Sequence, residues 1–300
     1  MKQTLVIGST VVDVCLNVPA IPERGGDVNV TDVEYRIGGC AYNVFRALRL
    51  FKSPALLCSP VGSGFYGDMV RNRLKEDGLE AFINLEGKNG CCYCLIEPDG
   101  ERSFISHHGV EYLFSRSWME SIDFSLADSI FVCGLEVEDR SGGEIVDFIY
   151  EHPELELYFA PGPRINYIQI ERMEKLLLHR NSRGKGPFLH LNKTEAIDFS
   201  KKDSLENAAE FLVEKTKNSV VITLGEEGAY CVPGGGGGAF YVSPFSVNAV
   251  NTTGSGDAHC GALIACLKNG MNLEEACRAA NKAGAAVAAG RNQNENFTGN

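Results

Sequence analysis

Short apolar runs that alternate with amphipathic helix patterns constrain the fold of this chain more than any other feature. The first apolar run is Leu5-Val6-Ile7-Gly8. A helix is predicted over residues 41–51, because apolar residues recur there at three- and four-residue spacing: Ala41, Val44, Phe45, Leu48 and Phe51. Further strands are predicted at 56–58, 129–133, 157–160, 188–191 and 220–224, and helices near 68–77, 143–151, 168–179 and 203–217. This alternation predicts an α/β fold, a doubly wound and mostly parallel sheet flanked by helices.

Two segments interrupt this rhythm. Residues 11–37 and 90–108 alternate polar and apolar side chains and contain turn sequences at 23–26 and 98–100, which predicts antiparallel hairpins. Inserted into a doubly wound sheet, these hairpins would form a small β-sheet lid over its carboxyl edge, where such folds bind ligands. The glycine run 234–238 is predicted to be a hairpin loop.

The chain of 300 residues contains no internal repeat and no long linker, so one domain over 1–300 is expected, with a frayed Asn-rich tail at 292–300. Its 39 acidic residues outnumber 28 Lys and Arg, and the net charge of -11 argues against a broad nucleic-acid interface. No apolar run approaches the ~20 residues that span a bilayer, and no secretory signal opens the sequence. A soluble cytoplasmic protein that binds neither nucleic acid nor membrane is expected.

Eleven cysteines are spread through the chain in apolar settings, which predicts reduced, buried thiols. Cys91, Cys92 and Cys94 include a C-x-x-C, with His107 and His108 as the nearest further candidate ligands. In a strand, however, residues three apart point to opposite faces, and no second cysteine pair exists. A metal site is therefore not expected here.

Two glycine-containing segments match patterns that bind ligands in other proteins. The first, Gly62-Ser63-Gly64-Phe65-Tyr66-Gly67, fits the G-x-G-x-x-G of dinucleotide sites and would suit an oxidoreductase. That signature normally follows the first strand, which here ends in Gly8-Ser9-Thr10. A tight turn before a helix is the favoured interpretation.

The second pattern is Asn251-Thr252-Thr253-Gly254-Ser255-Gly256-Asp257, directly before an apolar helix of small residues. Small residues at a helix start let backbone N–H groups converge on an anion. A carboxylate beside that anion is unfavourable unless Asp257 takes a proton from a hydroxyl that attacks a phosphate. The spacing leaves a second interpretation open, in which Asp257 only caps the helix.

Five motifs, in order, resemble those of the ribokinase-like (PfkB-type) carbohydrate kinases. They are Gly8-Ser9-Thr10-Val11-Val12-Asp13, Gly38-Gly39-Cys40-Ala41-Tyr42-Asn43, Asn192-Lys193-Thr194-Glu195, Val221 to Gly228 and Asn251 to Asp257. The segment from Val61 to Asp68 also has a counterpart in that family, which removes the dinucleotide interpretation.

The resemblance implies ATP-dependent transfer of a phosphoryl group to a hydroxyl, usually a hydroxymethyl, of a sugar or nucleoside. It implies Asp257 as the base, with the backbone of Gly254, Ser255 and Gly256 as the anion hole. The remaining implied roles are substrate binding by Asp13, Gly38, Gly39, Asn43 and Glu136, ATP binding by Asn192, Thr223, Gly225, Gly228 and Asn281, and contact of Glu195 with Mg²⁺ through water. Two alternatives without a role in ligand binding stay open: Asn281 as an exposed residue on a helix surface, and Glu136 as a charged residue in a loop.

The chain also departs from the family pattern. Asn251 replaces the usual Asp of the monovalent-cation loop, so potassium activation is not expected, and Cys40 stands where ribokinases usually have Lys. Residues 160–164 lack the Asp and Asn of the family's Asp-Pro-Asn-x-Arg stretch. Asn at the position of 251 also occurs in pseudouridine-kinase-like members, which keeps a nucleoside substrate open.

The implied substrate segments, 11–14, 37–43 and 105–111, hold no cluster of Lys or Arg, which favours an uncharged sugar or nucleoside. A catalytically quiet sugar- or nucleotide-binding protein is the alternative from another functional class. The predicted lid sheet is also open to pairing with a second copy as a homodimer.

Overall fold

The computed structural model describes residues 2–290, and the predicted frayed tail, 292–300, lies outside them. The strands are β1 (Gln3–Ile7), β2 (Val11–Asn17), β3 (Asp32–Gly38), β4 (Ala55–Cys58), β5 (Pro60–Ser63), β6 (Ile83–Lys88), β7 (Cys91–Ile96), β8 (Arg102–His107), β9 (Ala127–Cys133), β10 (Glu156–Ala160), β11 (Phe188–Asn192), β12 (Val220–Thr223), β13 (Ala229–Val232) and β14 (Phe240–Val242). The helices are α1 (Cys40–Leu50), α2 (Gly64–Glu76), α3 (Arg116–Met119), α4 (Gly134–Glu138), α5 (Gly142–Glu151), α6 (Ile170–Leu178), α7 (Lys193–Ser200), α8 (Leu205–Thr216), α9 (Ser255–Lys268) and α10 (Leu273–Ala288).

An eight-stranded main sheet confirms the predicted fold class. Its order is β14-β13-β12-β11-β10-β9-β1-β4, parallel from β4 to β12, with β13 and β14 antiparallel at one edge. Successive residues of β1 show why helices cover both faces: Leu5 and Ile7 belong to one apolar core, and Val6 belongs to the other. The carboxyl ends of the parallel strands therefore form one edge between two helical layers.

The two predicted hairpins form a separate four-stranded sheet, hereafter the side sheet, in the order β3-β2-β7-β8. Pairing is antiparallel within each hairpin, and the parallel pair β2–β7, which the sequence did not predict, joins them. One face of the side sheet packs on the core through Val12 and Val14. Because side chains alternate along a strand, Asp13 and Cys15 point the other way.

The region of the G-x-G-x-x-G pattern differs from the prediction in two respects. Strand β5 leaves the main sheet and pairs with β6 alone, and α2 begins at Gly64 rather than near Asp68. A Cβ on Gly67 would overlap the carbonyl of Gly62, so these glycines allow the helix to lie directly on its preceding strand. The pattern thus serves local packing at the start of α2.

Helix α9 packs unusually close to α1. A Cβ placed on Gly261 would lie 2.6 Å from both the Cβ of Ala47 and the carbonyl oxygen of Val44. Only a glycine therefore fits at this contact, and residues one turn away on each helix are brought together as a result.

Two further properties concern the whole described chain. Between residues 2 and 290, no helix is both long and apolar enough to cross a bilayer. The cysteines are free thiols, and those at 91 and 94 are buried on opposite sides of β7, Cys91 in the core and Cys94 in a cavity wall.

Gly261→Ala tests the close contact of α1 and α9. The added methyl group overpacks the contact at a cost of about 1–3 kcal/mol, of which better helix propensity recovers up to ~1 kcal/mol. Urea unfolding should show a net loss of about 1–2 kcal/mol. Gly143→Ala in α5 is the matched control, because its Cβ would meet nothing nearer than 3.8 Å, and its stability should hold or rise. Equal stability of the two variants would contradict this account.

Candidate active site

Two cavities share the loop between β14 and α9 as part of their walls. The first, of about 810 Å³, lies under the side sheet and beside α1 and α2, and Asn251, Thr253 and Gly254 line it. The second, of about 840 Å³, is lined by Thr252, Ser255 and Gly256 on the other side of the same loop. A group held in one cavity would thus be separated from a group in the other only by this loop.

Asp257 is the third residue of α9 and contacts α1 across the loop. The side-chain amide of Asn43 donates a hydrogen bond to the Asp257 carboxylate at 2.9 Å, and the thiol of Cys40 also hydrogen-bonds it. The N-cap of α9 is Gly254, so the capping interpretation does not account for Asp257. Burial raises the pKa of Asp257 to about 6, although Asn43 and Cys40 stabilise the charged form. A carboxyl with this pKa can accept a proton near neutrality.

Asp13 and Gly38 line the first cavity, and Gly39 is the next residue of the glycine pair. A Cβ on Gly38 would overlap the Asp13 carboxylate, and Gly39 has φ +99° with Ser9 carbonyl oxygen 2.6 Å from its ideal Cβ position. Both glycines are therefore required by geometry. Burial, then the negative charge of Asp257, raises the pKa of Asp13 to about 7, while Arg36 lowers it. The two carboxyl groups are thus electrostatically coupled.

Glu136 is not the loop charge that one interpretation of the sequence offered. It lies in the first turn of α4 rather than in a loop, and it is fully buried. Its carboxylate accepts hydrogen bonds from the backbone N–H and hydroxyl of Ser9 at 3.0 and 2.8 Å and from the Cys133 thiol at 2.8 Å. In this arrangement Glu136 fixes the turn after β1, whose Ser9 carbonyl oxygen lies where a Cβ on Gly39 would be.

The predicted anion hole is the backbone of Gly254, Ser255 and Gly256. It is open at Gly256, whereas the N–H group of Ser255 is already hydrogen-bonded within the protein. Gly254 has φ +78°, which explains its glycine, but a Cβ on Gly256 would meet nothing within 4 Å. No packing contact in the described chain requires a glycine at 256. A ligand that closely approaches the backbone would give a reason for one. The Ser255 N–H donates to the Thr252 carbonyl at 3.1 Å, and its hydroxyl donates to the same oxygen.

The second cavity is lined by four of the five residues that the resemblance assigns to the nucleotide, and the fifth, Asn192, is not among its lining residues in the described part of the chain. Thr223, Gly225 and Gly228 line it at the end of β12, together with Asn281 of α10. Asn281 is buried, so the helix-surface alternative is wrong. Its amide donates to the carbonyls of Val242 and Ser243 at 3.2 and 3.0 Å and thereby ties α10 to the end of β14.

A buried histidine pair under this cavity was not predicted. His259, which lines the cavity, bonds through Nδ1 to Nε2 of His190 at 2.9 Å and through Nε2 to the Asn281 amide oxygen at 3.0 Å. Burial lowers the pKa of His190 well below its usual value, so the His190 ring in this chain of bonds is neutral. The position of His259, two residues after Asp257, was the only signal in the sequence.

Asn192 and Glu195 form a capping box at the start of α7. The Asn192 side chain accepts from the Glu195 N–H at 2.8 Å, and the Glu195 carboxylate accepts from the Asn192 backbone N–H at 3.0 Å. Burial and the charge of Asp257 raise the pKa of Glu195. Mg²⁺ usually takes one or two carboxylates, waters and substrate phosphates, so this pair of mutually repelling carboxylates fits such an ion.

The sequence interpretation did not predict that four arginines meet in the wall of the first cavity: Arg36, Arg46, Arg73 and Arg102. None lies in the three segments that were searched for basic residues. Strand alternation from Gly38 and helix spacing from Asn43 would have pointed to the first two.

The comparisons with known proteins agree with this geometry. The sequence matches the pfkB family carbohydrate kinases over residues 1–140 and 183–297. A relative described as an uncharacterized sugar kinase, YegV of Escherichia coli K12, is 30% identical over 92% of this chain and 85% of its own length. Pseudouridine kinase of the same organism is 22% identical over 84% of this chain and 80% of its own length.

A solved structure shows the same fold. It is that of a ribokinase from Arabidopsis thaliana complexed with ribose and ATP, which matches this chain with a TM-score of 0.75 and 17% identity over 96% of this chain and 92% of its own. The main sheet, the ordered motifs and the extent of the sequence match lead to one conclusion: the chain belongs to the pfkB family of carbohydrate kinases.

Proposed function

We propose that this protein transfers the γ-phosphoryl group of ATP to a hydroxyl group of a sugar or nucleoside, with Asp257 as the general base. The observation that carries the proposal is the pair of cavities on either side of the 250–256 loop, with the partly buried Asp257 carboxylate in the first turn of the helix that follows the loop. The acceptor hydroxyl gives its proton to Asp257 as its oxygen bonds to the γ-phosphorus, and the bond to ADP breaks.

The acceptor would lie in the first cavity, which Asp13, Gly38 and Asn43 line and where Asn43 contacts the base. Asp13 supplies an acceptor for hydroxyl groups, and the amide of Asn43 holds the Asp257 carboxylate in place. The cavity of about 810 Å³ is large enough for a monosaccharide or a nucleoside, and the pseudouridine kinase relative favours keeping the nucleoside as the second candidate. Retention of Asp257 argues against a catalytically quiet binding protein.

ATP would occupy the second cavity, with its phosphates at the start of α9. The backbone of Gly254 and Gly256 and the positive end of this 14-residue helix suit an anion, and the Ser255 N–H joins them once it leaves the Thr252 carbonyl. Glu195 would hold Mg²⁺, which when bound neutralises phosphate charge. Thr223, Gly225 and Gly228 form the wall toward the base of the nucleotide.

Asp257→Asn should lower kcat by roughly 10²–10⁴-fold, because the hydroxyl loses its proton acceptor. Affinity for ATP should hold or rise, since a negative charge beside the phosphates is removed. Turnover is measured as acceptor-dependent ADP release over a panel of sugars and nucleosides, and ATP affinity by calorimetry. Asp27→Asn, on the exposed surface, is the control. Near-normal turnover of a folded Asp257→Asn enzyme would contradict the base assignment.

The pH profile should move in opposite directions in two variants. In the wild type, kcat/KM should fall as pH drops through about 6, where Asp257 becomes protonated. Glu136→Gln removes a negative charge whose repulsion raises the pKa of Asp257, and it shifts the acid limb to lower pH. Asn43→Ala removes a hydrogen bond to the carboxylate and shifts that limb to higher pH. A purely structural role for both residues would predict loss of activity without these opposite shifts.

Activity should vary less than about twofold between potassium and a bulky, non-coordinating cation at equal ionic strength. Asn251 carries no charge, and its side-chain oxygen already accepts from the Thr253 N–H at 2.9 Å, so attraction for a cation is weak. Asn251→Asp keeps this bond and adds a charge, and it should introduce cation dependence. Strong potassium activation of the wild type would show that backbone carbonyls alone suffice.

A further inference from the structure

A pair of cysteines, Cys15 of β2 and Cys94 of β7, lies in the wall of the first cavity. The two residues are directly opposite each other in the parallel register of these strands, and their thiols are hydrogen-bonded to each other. Opposite residues of neighbouring strands point to the same face of a sheet, and the strands are about 4.7–4.9 Å apart. A disulfide usually joins Cα atoms that are ~4.4–6.8 Å apart, so a bond between these two sulfurs needs no change of register.

Access distinguishes this pair from a second pair in the core. Cys231 and Cys277 are also hydrogen-bonded to each other, but both are completely buried. Neither is among the described residues that line the two cavities. Cys15 and Cys94 are shielded from bulk solvent too, with 9% and 3% of their surface exposed, yet both line a cavity of about 810 Å³. A small molecule that enters this cavity can reach them without unfolding of the chain.

The surroundings of the pair make the two thiols chemically different. The hydrogen bond from the Cys94 thiol lowers the pKa of Cys15, and the positive charge of Arg36 acts in the same direction. Burial and the negative charges of Asp13 and Glu34 oppose this effect without cancelling it. The same hydrogen bond, with burial, raises the pKa of Cys94, so the proton stays on that sulfur. Because the thiolate is the nucleophile, Cys15 is the sulfur that attacks and Cys94 is the sulfur that completes a disulfide.

We propose that Cys15 and Cys94 form a modification site, at which a hydroperoxide joins the two sulfurs in a reversible disulfide. With hydrogen peroxide, the Cys15 sulfur attacks one oxygen, the O–O bond breaks, and the other oxygen leaves as water after taking a proton from solvent. The Cys94 sulfur then attacks the resulting sulfenic acid, whose S–O bond breaks, and the hydroxyl group leaves as water with the Cys94 proton. The thiol pair loses two electrons, and the peroxide accepts them.

The disulfide would act on the proposed acceptor through Asp13. This residue lies two positions before Cys15 on the same face of β2, and both line the cavity. A disulfide draws the two sulfurs closer than their hydrogen bond does, so β2 moves relative to β7 and carries Asp13 with it. The acceptor should then bind more weakly, whereas ATP binding should persist, because neither cysteine is among the described residues that line the second cavity. This effect on turnover rests on the proposed function, but formation of the disulfide does not.

The disulfide is tested on the full-length, reduced protein by treatment with hydrogen peroxide. Catalase removes the excess peroxide, and the remaining thiols are alkylated under denaturing conditions before digestion without reductant. Mass spectrometry should find a cross-linked peptide that contains Cys15 and Cys94 and that separates on treatment with dithiothreitol. Cys231 and Cys277 serve as the internal control, and both should be recovered in alkylated form. Oxidation that leaves Cys15 and Cys94 reduced, or that joins Cys15 to another cysteine, would overturn the inference.

Single variants test the different roles of the two sulfurs. In Cys94→Ala, peroxide should leave Cys15 as a sulfenic acid that dimedone labels. In Cys15→Ala, labelling of Cys94 should be at least about tenfold slower, because only a few per cent of an ordinary thiol is ionised at pH 7. Circular dichroism checks that each variant is folded, and Cys15→Ser and Cys94→Ser provide a second pair of variants. Equal labelling rates in the two single variants would overturn the assigned roles.

Acceptor-dependent ADP release shows whether the disulfide affects the proposed reaction. With the acceptor that the panel of sugars and nucleosides identifies, oxidation should lower kcat/KM by about 10–100-fold, the scale of a misplaced binding group, and dithiothreitol should restore it. The double variant Cys15→Ala/Cys94→Ala should be insensitive to peroxide. Equal inactivation of this variant, or a complete disulfide without effect on kcat/KM, would overturn the effect on the acceptor. Absence of turnover with every acceptor before oxidation would contradict the proposed function and leave the mapped disulfide standing.

Discussion

The contact between α1 and α9 at Gly261 is the constraint on which the rest of the site depends. The two helices come from distant parts of the chain, and the hydrogen bond from Asn43 to Asp257 spans 214 residues. It forms only because a residue without a side chain lets the helix backbones approach. The glycine pair before α1 and the loop before α9 then meet at the carboxyl edge of the main sheet, where side chains from several strands converge.

At that edge the fold brings together several carboxyl groups, which repel one another when they are charged. Asp13, Asp257, Glu136 and Glu195 all have raised pKa values, with burial as the largest cause in each case. Burying them costs stability, which neighbouring donors such as Ser9 offset only in part. Such concentration of perturbed acids is common where proteins move protons and bind cations, and it marks this edge as functional rather than structural.

The fold was largely predictable because its signals are local. Periodicity gave the alternating strands and helices, and paired glycines and Asp257 stood out by residue type and spacing. The role of Glu136 was not predictable, because burial beneath Ser9 depends on how β1 and β9 pair. The arginine wall was missed for the same reason: Arg46 and Arg102 lie in segments that are unremarkable singly and meet only through the packing of the side sheet on the core.

The turn from Thr252 to Ser255 has a thermodynamic implication. The Thr252 carbonyl accepts from the Ser255 N–H that the proposed phosphate site would need, so nucleotide binding at that site would exchange one partner for the other. The same loop walls both cavities, and its rearrangement would reach Thr253 and Gly254 on the acceptor side. A ligand bound in one cavity would then change the affinity of the other cavity for its own ligand. The factor would be the same in both directions, so a few backbone residues would give heterotropic coupling between the two sites.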